Sequence, residues 1–403
     1  MNPGLARLRP YPFERLRALL AGVVPPADLA PVNLSIGEPR HATPPFIEAA
    51  LAQGARQLST YPATRGNDSL REALARWLER RFELPALDPG SEVLPVTGSR
   101  EALFSLAQTL LAPGAGHLVL MPNPGYQIYE GAALLAGAEP RPVALRESLG
   151  WRMDWDSVTP AEWARVKLVY TCSPGNPTGQ VMDLEDWRAL FALSDRHGFV
   201  IASDECYSEI YPDEAHPPLG GLAAAQQLGR AGYPRLITLG SLSKRSNVPG
   251  LRSGYVAGDA HLVAQFLAYR TYHGSAMGPA VQAASEAAWA DEGHVRENRR
   301  LYAEKFALAQ PALAGELPAA LPDASFYLWA RTPGDDAQYV RELYARANVL
   351  LLPGSFLARE FAGENPGAGR VRIALVPALT QVALAIERIR THGPAIRAAL
   401  APS

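Results

Sequence analysis

Lysine occurs only three times in this 403-residue chain, at positions 167, 244 and 305, although 38 residues are basic. Arginine supplies charge almost everywhere else. Arginine cannot stand in where a neutral amine must attack a carbonyl, because the guanidinium stays protonated, so each lysine is a candidate for chemistry. Lys305 lies in a stretch dense in charge (Arg299, Arg300, Glu304) and reads as a solvated face residue. Lys167 opens an apolar run and reads as a surface edge. Lys244 ends Gly240-Ser241-Leu242-Ser243-Lys244, directly after the apolar run 236–239, with two hydroxyls beside it and Arg252-Ser253-Gly254 eight residues on. The four residues 241–244 also fit a Ser-x-x-Lys pattern, with Ser241 as an acyl nucleophile and Lys244 as its base. No Ser-Asp-Asn or Lys-Thr-Gly follows, which counts against that acyl hydrolase reading.

Three further places carry chemistry-bearing residues. Asp204 ends the apolar run 199–203 and is followed by Glu205, Cys206 and Tyr207. A buried acid costs desolvation unless something pairs it, a helix N-cap being the plainer role. Gly98-Ser99-Arg100-Glu101 follows the run 92–97 and opens a helix, offering free backbone N–H groups and a positive dipole end to an anion, although many such turns hold nothing. The loop Ser173-Pro174-Gly175-Asn176-Pro177-Thr178-Gly179 packs two prolines and two glycines around one amide side chain, more than a turn requires.

The elements that must position these groups follow from periodicity. Strands are expected at 92–97, 117–121, 142–145, 166–172, 199–203, 236–239 and 254–257. Helices are expected at 69–82, with Leu70, Ala73, Leu74, Trp77 and Leu78 on one face, and at 100–111 and 184–197. Apolar strands separated by helices predict an α/β architecture with a mostly parallel seven-stranded sheet covered on both faces. Ligands bind beyond the carboxyl ends of such strands, where all four of these segments fall. After about residue 277 a long helical stretch (279–310), strands at 326–330, 349–352 and 371–375, and a helix at 336–347 predict a smaller α+β domain. The expected division is 1–49 as an N-terminal arm belonging to the small domain, 50–280 as the large domain and 281–403 as the small one.

Composition narrows the classes. Hydrophobic residues make up 48 % and charged residues 19 %, a globular balance. A net charge of −2 gives no basic field for nucleic acid or an anionic membrane, and no apolar run is long enough to span a bilayer. Two cysteines suggest a reducing compartment rather than a disulfide scaffold. The scattered histidines hold no His-x-x-x-His pair, so no metal site is expected. Prolines 3, 10 and 12 and Glu14 interrupt the arginine-rich N-terminus, which argues for an ordered arm with one short helix over a targeting segment.

Along the chain come Tyr61-Pro62 with Gly66, Gly98-Ser99-Arg100, Asn176-Pro177-Thr178-Gly179, Asp204 with Tyr207, Ser241-Leu242-Ser243-Lys244, Arg252-Ser253-Gly254, and Arg372 within Val371-Arg372-Ile373. In that order and approximate spacing, over nearly the whole length, the chain resembles the class I/II aminotransferases of pyridoxal-phosphate fold type I. The resemblance implies that Lys244 carries pyridoxal 5'-phosphate covalently and later shuttles a proton. It implies that Asp204 pairs with the pyridine nitrogen and that Tyr207 and Asn176 hydrogen-bond the phenolate oxygen. Tyr126 would stack on the ring. The phosphate would sit on the N–H groups of Ser99 and Arg100, with Ser241, Ser243 and Arg252 adding donors. Tyr61 would reach the phosphate of a neighbouring subunit in a homodimer. Arg372 would grip the substrate α-carboxylate, and Gly37 would let the backbone approach that substrate.

Two stretches, Gly37-Glu38-Pro39-Arg40-His41 and Lys244-Arg245-Ser246-Asn247-Val248-Pro249-Gly250, are similar to bacterial succinyldiaminopimelate aminotransferases. That implies a cytoplasmic enzyme of lysine biosynthesis exchanging an amino group between glutamate and N-succinyl-2-amino-6-oxopimelate. Its partners would be small amino and keto acids. Arg40 and Arg65 are the candidate cations for the distal succinyl carboxylate. A general aspartate- or alanine-type aminotransferase, or a pyridoxal-dependent lyase sharing every cofactor residue, are the alternatives within the fold.

Overall fold

The computed structural model describes residues 2–401. The arm carries a 3-10 helix, Pro3–Arg7, a short α-helix, Pro12–Leu19, and a two-residue strand β1 (Val32–Asn33). The main sheet is built from β2 (Val93–Val96), β3 (Leu118–Asn123), β4 (Glu139–Arg146), β5 (Arg152–Met153), β6 (Val166–Cys172), β7 (Val200–Asp204), β8 (Leu236–Ser241) and β9 (Gly254–Gly258). Their spatial order among the described residues is β2-β9-β8-β7-β6-β3-β4-β5. The pairs β3–β4, β3–β6, β6–β7 and β7–β8 are parallel, and β9 runs antiparallel to both β8 and β2. Seven of these strands are the seven predicted from sequence. The eighth, β5, is a two-residue edge strand antiparallel to β4 and too short to leave an alternation pattern.

Parallel strands stay stable only with both faces covered, and two cores do so. On one face Leu103, Leu106, Tyr129 and Phe266 pack on Leu94, Val119, Leu168, Tyr170 and Ile237. On the other Trp77, Trp187, Leu190, Phe191 and Trp289 pack on Leu120, Val169 and Ile201. The flanking helices start and stop where local chemistry predicts. Leu184–His197 opens on Asp183, whose side chain accepts from the Asp186 N–H, and closes on Gly198 at φ 74°. Asp68–Phe82 buries Leu70, Ala73, Leu74, Trp77 and Leu78 as one stripe.

Beyond the main sheet, β10 (Tyr327–Arg331), β12 (Leu352–Pro353) and β13 (Arg370–Ala374) make an antiparallel sheet, and β11 (Val349–Leu350) pairs in parallel with β1. Their core includes Leu16, Val32 and Leu34 of the arm together with Leu328, Val340, Leu343, Ile373 and Ile389. The helical stretch expected at 279–310 is two helices, Pro279–Ala290 and Gly293–Leu313. Asp291 breaks it: its side chain takes the N–H of His294 and restarts the helix, while its carbonyl accepts from Arg245. Among the described residues no helix is long and apolar enough to cross a membrane.

Candidate active site

β6, β7 and β8 end side by side, with Cys172 in register with Asp204 and Asp204 with Leu239. Asp204 is the last residue of β7 and is 4 % exposed. Its Oδ2 accepts from the Tyr129 hydroxyl at 2.8 Å and its Oδ1 from the Cys206 N–H at 3.2 Å. Burial pushes this carboxyl up from its ordinary range, and those hydrogen bonds pull it back. Both bonded partners are neutral, so a cationic N–H placed against the carboxylate would meet an uncompensated charge.

Lys244 lies in the short helix Leu242–Arg245 that follows β8 directly. Its Nζ donates to the Gly37 carbonyl at 2.7 Å and lies 5.6 Å from the centre of the Phe326 ring. Burial lowers its pKa to about 8, with Arg372 and Arg100 pushing the same way and Cys206 and Glu38 opposing. A usable fraction of neutral amine therefore exists near neutral pH. Position 37 admits only glycine, since a Cβ there would come 1.8 Å from the Tyr327 hydroxyl oxygen.

Arg372, on β13, faces the same space from the other side. Its Nη1 donates to Asn176 Oδ1 at 2.9 Å and its Nη2 to the Ser35 carbonyl at 2.8 Å, while its guanidinium lies 4.4 Å over the Tyr327 ring. Its Nε is buried without a partner. The hydroxyls of Tyr207 and Tyr327 lie 2.9 Å apart.

An anion cradle closes the site. Ser99 opens the helix Ser99–Leu110 after Gly98, whose φ of 89° and closeness to Arg252 (a Cβ would lie 2.3 Å from Nη2) both exclude a side chain. The Ser99 hydroxyl accepts from the Cys206 thiol at 2.9 Å. Ser241 Oγ accepts from the Ser243 N–H at 3.1 Å and donates to the Ser253 carbonyl. Arg252 is held at φ 54° by a bond from its Nη1 to the Pro249 carbonyl at 2.9 Å. Tyr126 accepts from Arg100 Nε and meets Tyr129 edge-on at 5.8 Å. Hydroxyls, a guanidinium and a helix N-terminus thus offer donors to an anion, a buried carboxylate offers an acceptor to a cation, and the Lys244 amine lies among them. This donor set fits a phosphate, a protonated pyridine nitrogen and an aldehyde on one small molecule.

Three predicted residues lie apart. The Tyr61 side chain is fully exposed at 102 %. Arg65 pairs with Asp68 at 3.0 Å and Arg40 with Glu38 at 3.3 Å, and both arginines are more than half exposed. Within one chain neither arginine reaches the site. Lys167 is exposed, as read from sequence, but the reading of Lys305 as a solvated face residue is wrong. Lys305 is 2 % exposed and donates to His41 Nε2 at 2.6 Å and to the Val376 carbonyl at 3.2 Å. Arg245 is buried between Trp77 and Trp289 and paired with Glu292 at 2.5 Å, away from the cradle. The sequence reading missed Tyr129, Tyr327 and Phe326. The one local signal was that Tyr129 stands three residues after Tyr126, one helical turn along. Among the described residues no cluster of ligating side chains could hold a metal ion.

Comparison with known proteins agrees with this arrangement. A solved aminotransferase from Neisseria meningitidis Z2491 is 51 % identical, covers 98 % of this chain and 100 % of its own, and superposes with a TM-score of 0.95. The 4-dedimethylamino-4-oxo-anhydrotetracycline transaminase OxyQ of Streptomyces rimosus is 35 % identical over 89 % of this chain and 92 % of its own. The LL-diaminopimelate aminotransferase of Maridesulfovibrio salexigens is 32 % identical over 96 % and 97 %. The family model for aminotransferase class I and II matches residues 30–389, from within the arm into the last helix. A lysine amine, a buried aspartate and a helix-capped anion cradle, set in a fold and sequence shared along nearly the full length, place this chain in the class I and II aminotransferases, enzymes that depend on pyridoxal 5'-phosphate.

Proposed function

We propose that Lys244 is the amine that carries the cofactor and moves the substrate proton, and that the other site residues act around it. The observation that supports this most is the convergence of a partly neutral Lys244 amine, an Asp204 carboxylate without a charged partner and an Arg372 fork with a free Nε in one space. When bound, pyridoxal phosphate supplies an aldehyde that takes the amino group and a protonated ring that takes up the electron pair left when Cα loses its proton. Ser99, Arg100, Ser241, Ser243 and Arg252 bind its phosphate through N–H, hydroxyl and guanidinium donors. Asp204 holds a proton on the ring nitrogen. Asn176 and Tyr207 donate to the ring oxygen, and Tyr126 covers the ring. Lys244 Nζ would take the proton from the substrate Cα and return it across the intervening nitrogen, to the carbon that belonged to the cofactor's aldehyde. Arg372 holds the α-carboxylate as a charge-assisted pair, and Gly37 leaves that approach open.

In the same reading the enzyme is a homodimer. Tyr61, fully exposed in one chain, reaches the partner's phosphate, and the segment bearing Arg65 comes with it. The chain divides into the arm 1–49, the large domain 50–280 and the small domain 281–403. The arm's share in the core around Ile373 supports grouping it with the last of these. The amino acceptor belongs to the diaminopimelate series, N-succinyl-2-amino-6-oxopimelate in its specific form, with glutamate as donor. The LL-diaminopimelate aminotransferase relative and the two stretches 37–41 and 244–250 support that choice. Because Arg245 is packed between tryptophans, that residue marks a subgroup through packing and not through substrate contact.

A panel of keto acids with glutamate as donor, read by single-turnover absorbance, tests the reading. The succinylated keto acid is expected to give the highest kcat/KM. A higher value for oxaloacetate or pyruvate would move the enzyme to the aspartate or alanine type. Ammonia and pyruvate release without 2-oxoglutarate would make it a lyase.

A further inference from the structure

Helix Gly293–Leu313 carries Asn298, Tyr302 and Lys305 at spacings of four and three, which puts them on one face. That face meets three separate segments of the chain. Lys305 Nζ donates to His41 Nε2 at 2.6 Å, donates to the Val376 carbonyl at 3.2 Å and lies 4.9 Å from the centre of the Tyr302 ring. An ammonium only donates, so His41 must accept at Nε2 and carry its proton on Nδ1. Nδ1 then donates to Asn298 Oδ1 at 2.7 Å, which leaves the Asn298 amide to donate to the carbonyls of Lys244, at 3.2 Å, and Arg245, at 3.4 Å. The His41 ring also rests on Tyr302, with centroids 4.6 Å apart. Lys305, His41 and Asn298 thus hand on hydrogen bonds in one direction, from Lys305 to the backbone of Lys244, while the Tyr302 hydroxyl is buried without a partner and contributes only its ring.

The segments joined this way are those that carry site residues. His41 ends the arm stretch 37–41, whose Gly37 carbonyl accepts from Lys244 Nζ. Val376 follows β13, which carries Arg372. The turn 244–245 holds the amine itself. A compact ammonium with three donors suits this junction of a ring nitrogen, a carbonyl and an aromatic face, where a planar guanidinium does not. That accounts for a buried lysine in a chain that otherwise uses arginine.

We propose that Lys305, His41 and Asn298 form a positioning clasp that fixes the arm segment 37–40 against the Lys244 turn and so sets the substrate-side wall of the site. None of the three touches substrate; each acts through the arm or the turn. The proposal rests on the assignment of Lys244 as the reacting amine.

Hydrogen exchange of the holoenzyme, followed by peptide mass, tests it alongside steady-state kinetics. Lys305→Met is expected to raise exchange about tenfold in peptides covering 35–42 while peptides of Asp68–Phe82 stay unchanged, the signature of local rather than global opening. KM for glutamate should rise about fivefold or more with kcat within about threefold, because the wall loosens while the reacting groups stay. His41→Leu, which cuts the same link from the arm side, should copy both effects and decides the matter if Lys305→Met does not fold. His41→Gln, which keeps one acceptor and one donor, should stay near wild type. Arm exchange unchanged in Lys305→Met or His41→Leu overturns the clasp, as does a fall in kcat with KM unmoved. Borohydride fixation of the cofactor on Lys244 is measured in parallel. Its absence in the wild type would refute the Lys244 assignment, while arm exchange still reports on the clasp.

Discussion

Replacing Tyr129 by Phe removes one oxygen and leaves its surroundings intact. The ring is fully buried and stacked on Tyr170 with centroids 4.8 Å apart and planes 19° apart, contacts that phenylalanine keeps. What is lost is the 2.8 Å bond to Asp204 Oδ2, leaving the longer 3.2 Å bond from the Cys206 N–H to the other oxygen. A hydrogen bond to a charged group contributes about 1.5–3 kcal/mol. The loss, taken as about 2 kcal/mol, falls on the charged form of Asp204, which that bond stabilises. Burial already pushes this carboxyl upward, so the change moves it further toward the neutral acid, which cannot hold a proton on a ring nitrogen. If the whole loss is felt in the transition state, the first half-reaction slows about 30-fold. Single-turnover absorbance with glutamate measures that rate, and the 15N shift of ring-labelled cofactor reports the proton directly. A rate within about threefold of wild type together with an unchanged 15N shift would show that the remaining bond suffices and that Tyr129 only packs.

Lys244→Ala is expected to abolish borohydride fixation of the cofactor and amino transfer together, and an adduct recovered instead on Lys167 or Lys305 would refute the assignment. Arg372→Ala should raise KM for every amino donor alike, by the roughly 2–5 kcal/mol that loss of one partner of a buried charge pair costs; an effect confined to one donor would make it a side-chain specificity residue. Arg40→Ala or Arg65→Ala should weaken the succinylated substrate by about 1–3 kcal/mol and leave alanine as donor unaffected. Their pairs with Glu38 and Asp68 are exposed and easily given up; equal loss for both donors would mean a structural effect. Capture of pyridoxal phosphate by the apoenzyme needs the neutral Lys244 amine, so its rate should climb with pH and level off above about 8. Arg372→Leu removes a cation that disfavours the charged amine and should move that midpoint upward; a downward move would contradict the electrostatics.

Lys244 stood out in the sequence because lysine is scarce, and Asp204 because an acid ends an apolar run. Both signals are local, as are the Asp183 cap and the Gly198 stop that set the ends of Leu184–His197. Tyr129 and Tyr327 left no such trace, since a tyrosine in an apolar stretch reads as core until the fold brings its hydroxyl to a partner from another element. Lys305 was misread for the opposite reason. The charges around it in sequence project elsewhere on the helix, while its own face is set by the 298–302–305 spacing and by segments more than 60 positions away. The break at Asp291 is equally non-local, because the partner of its carbonyl is Arg245. Arg40 and Arg65 were chosen for their neighbours in sequence, and in a single chain both face solvent.

The placement of the three lysines has a further consequence. The cofactor is an aldehyde and condenses with any accessible primary amine. With Lys305 sealed by His41 and Lys244 inside the site, Lys167 is the only lysine exposed to solvent. The folded enzyme therefore offers almost no side-chain amines that compete with the productive one for stray aldehydes, whether excess cofactor or reducing sugars. The same scarcity means that an amine-directed dye or surface linker, applied with the cofactor in place, reaches one lysine per chain, at the start of β6, at the opposite end of that strand from the site.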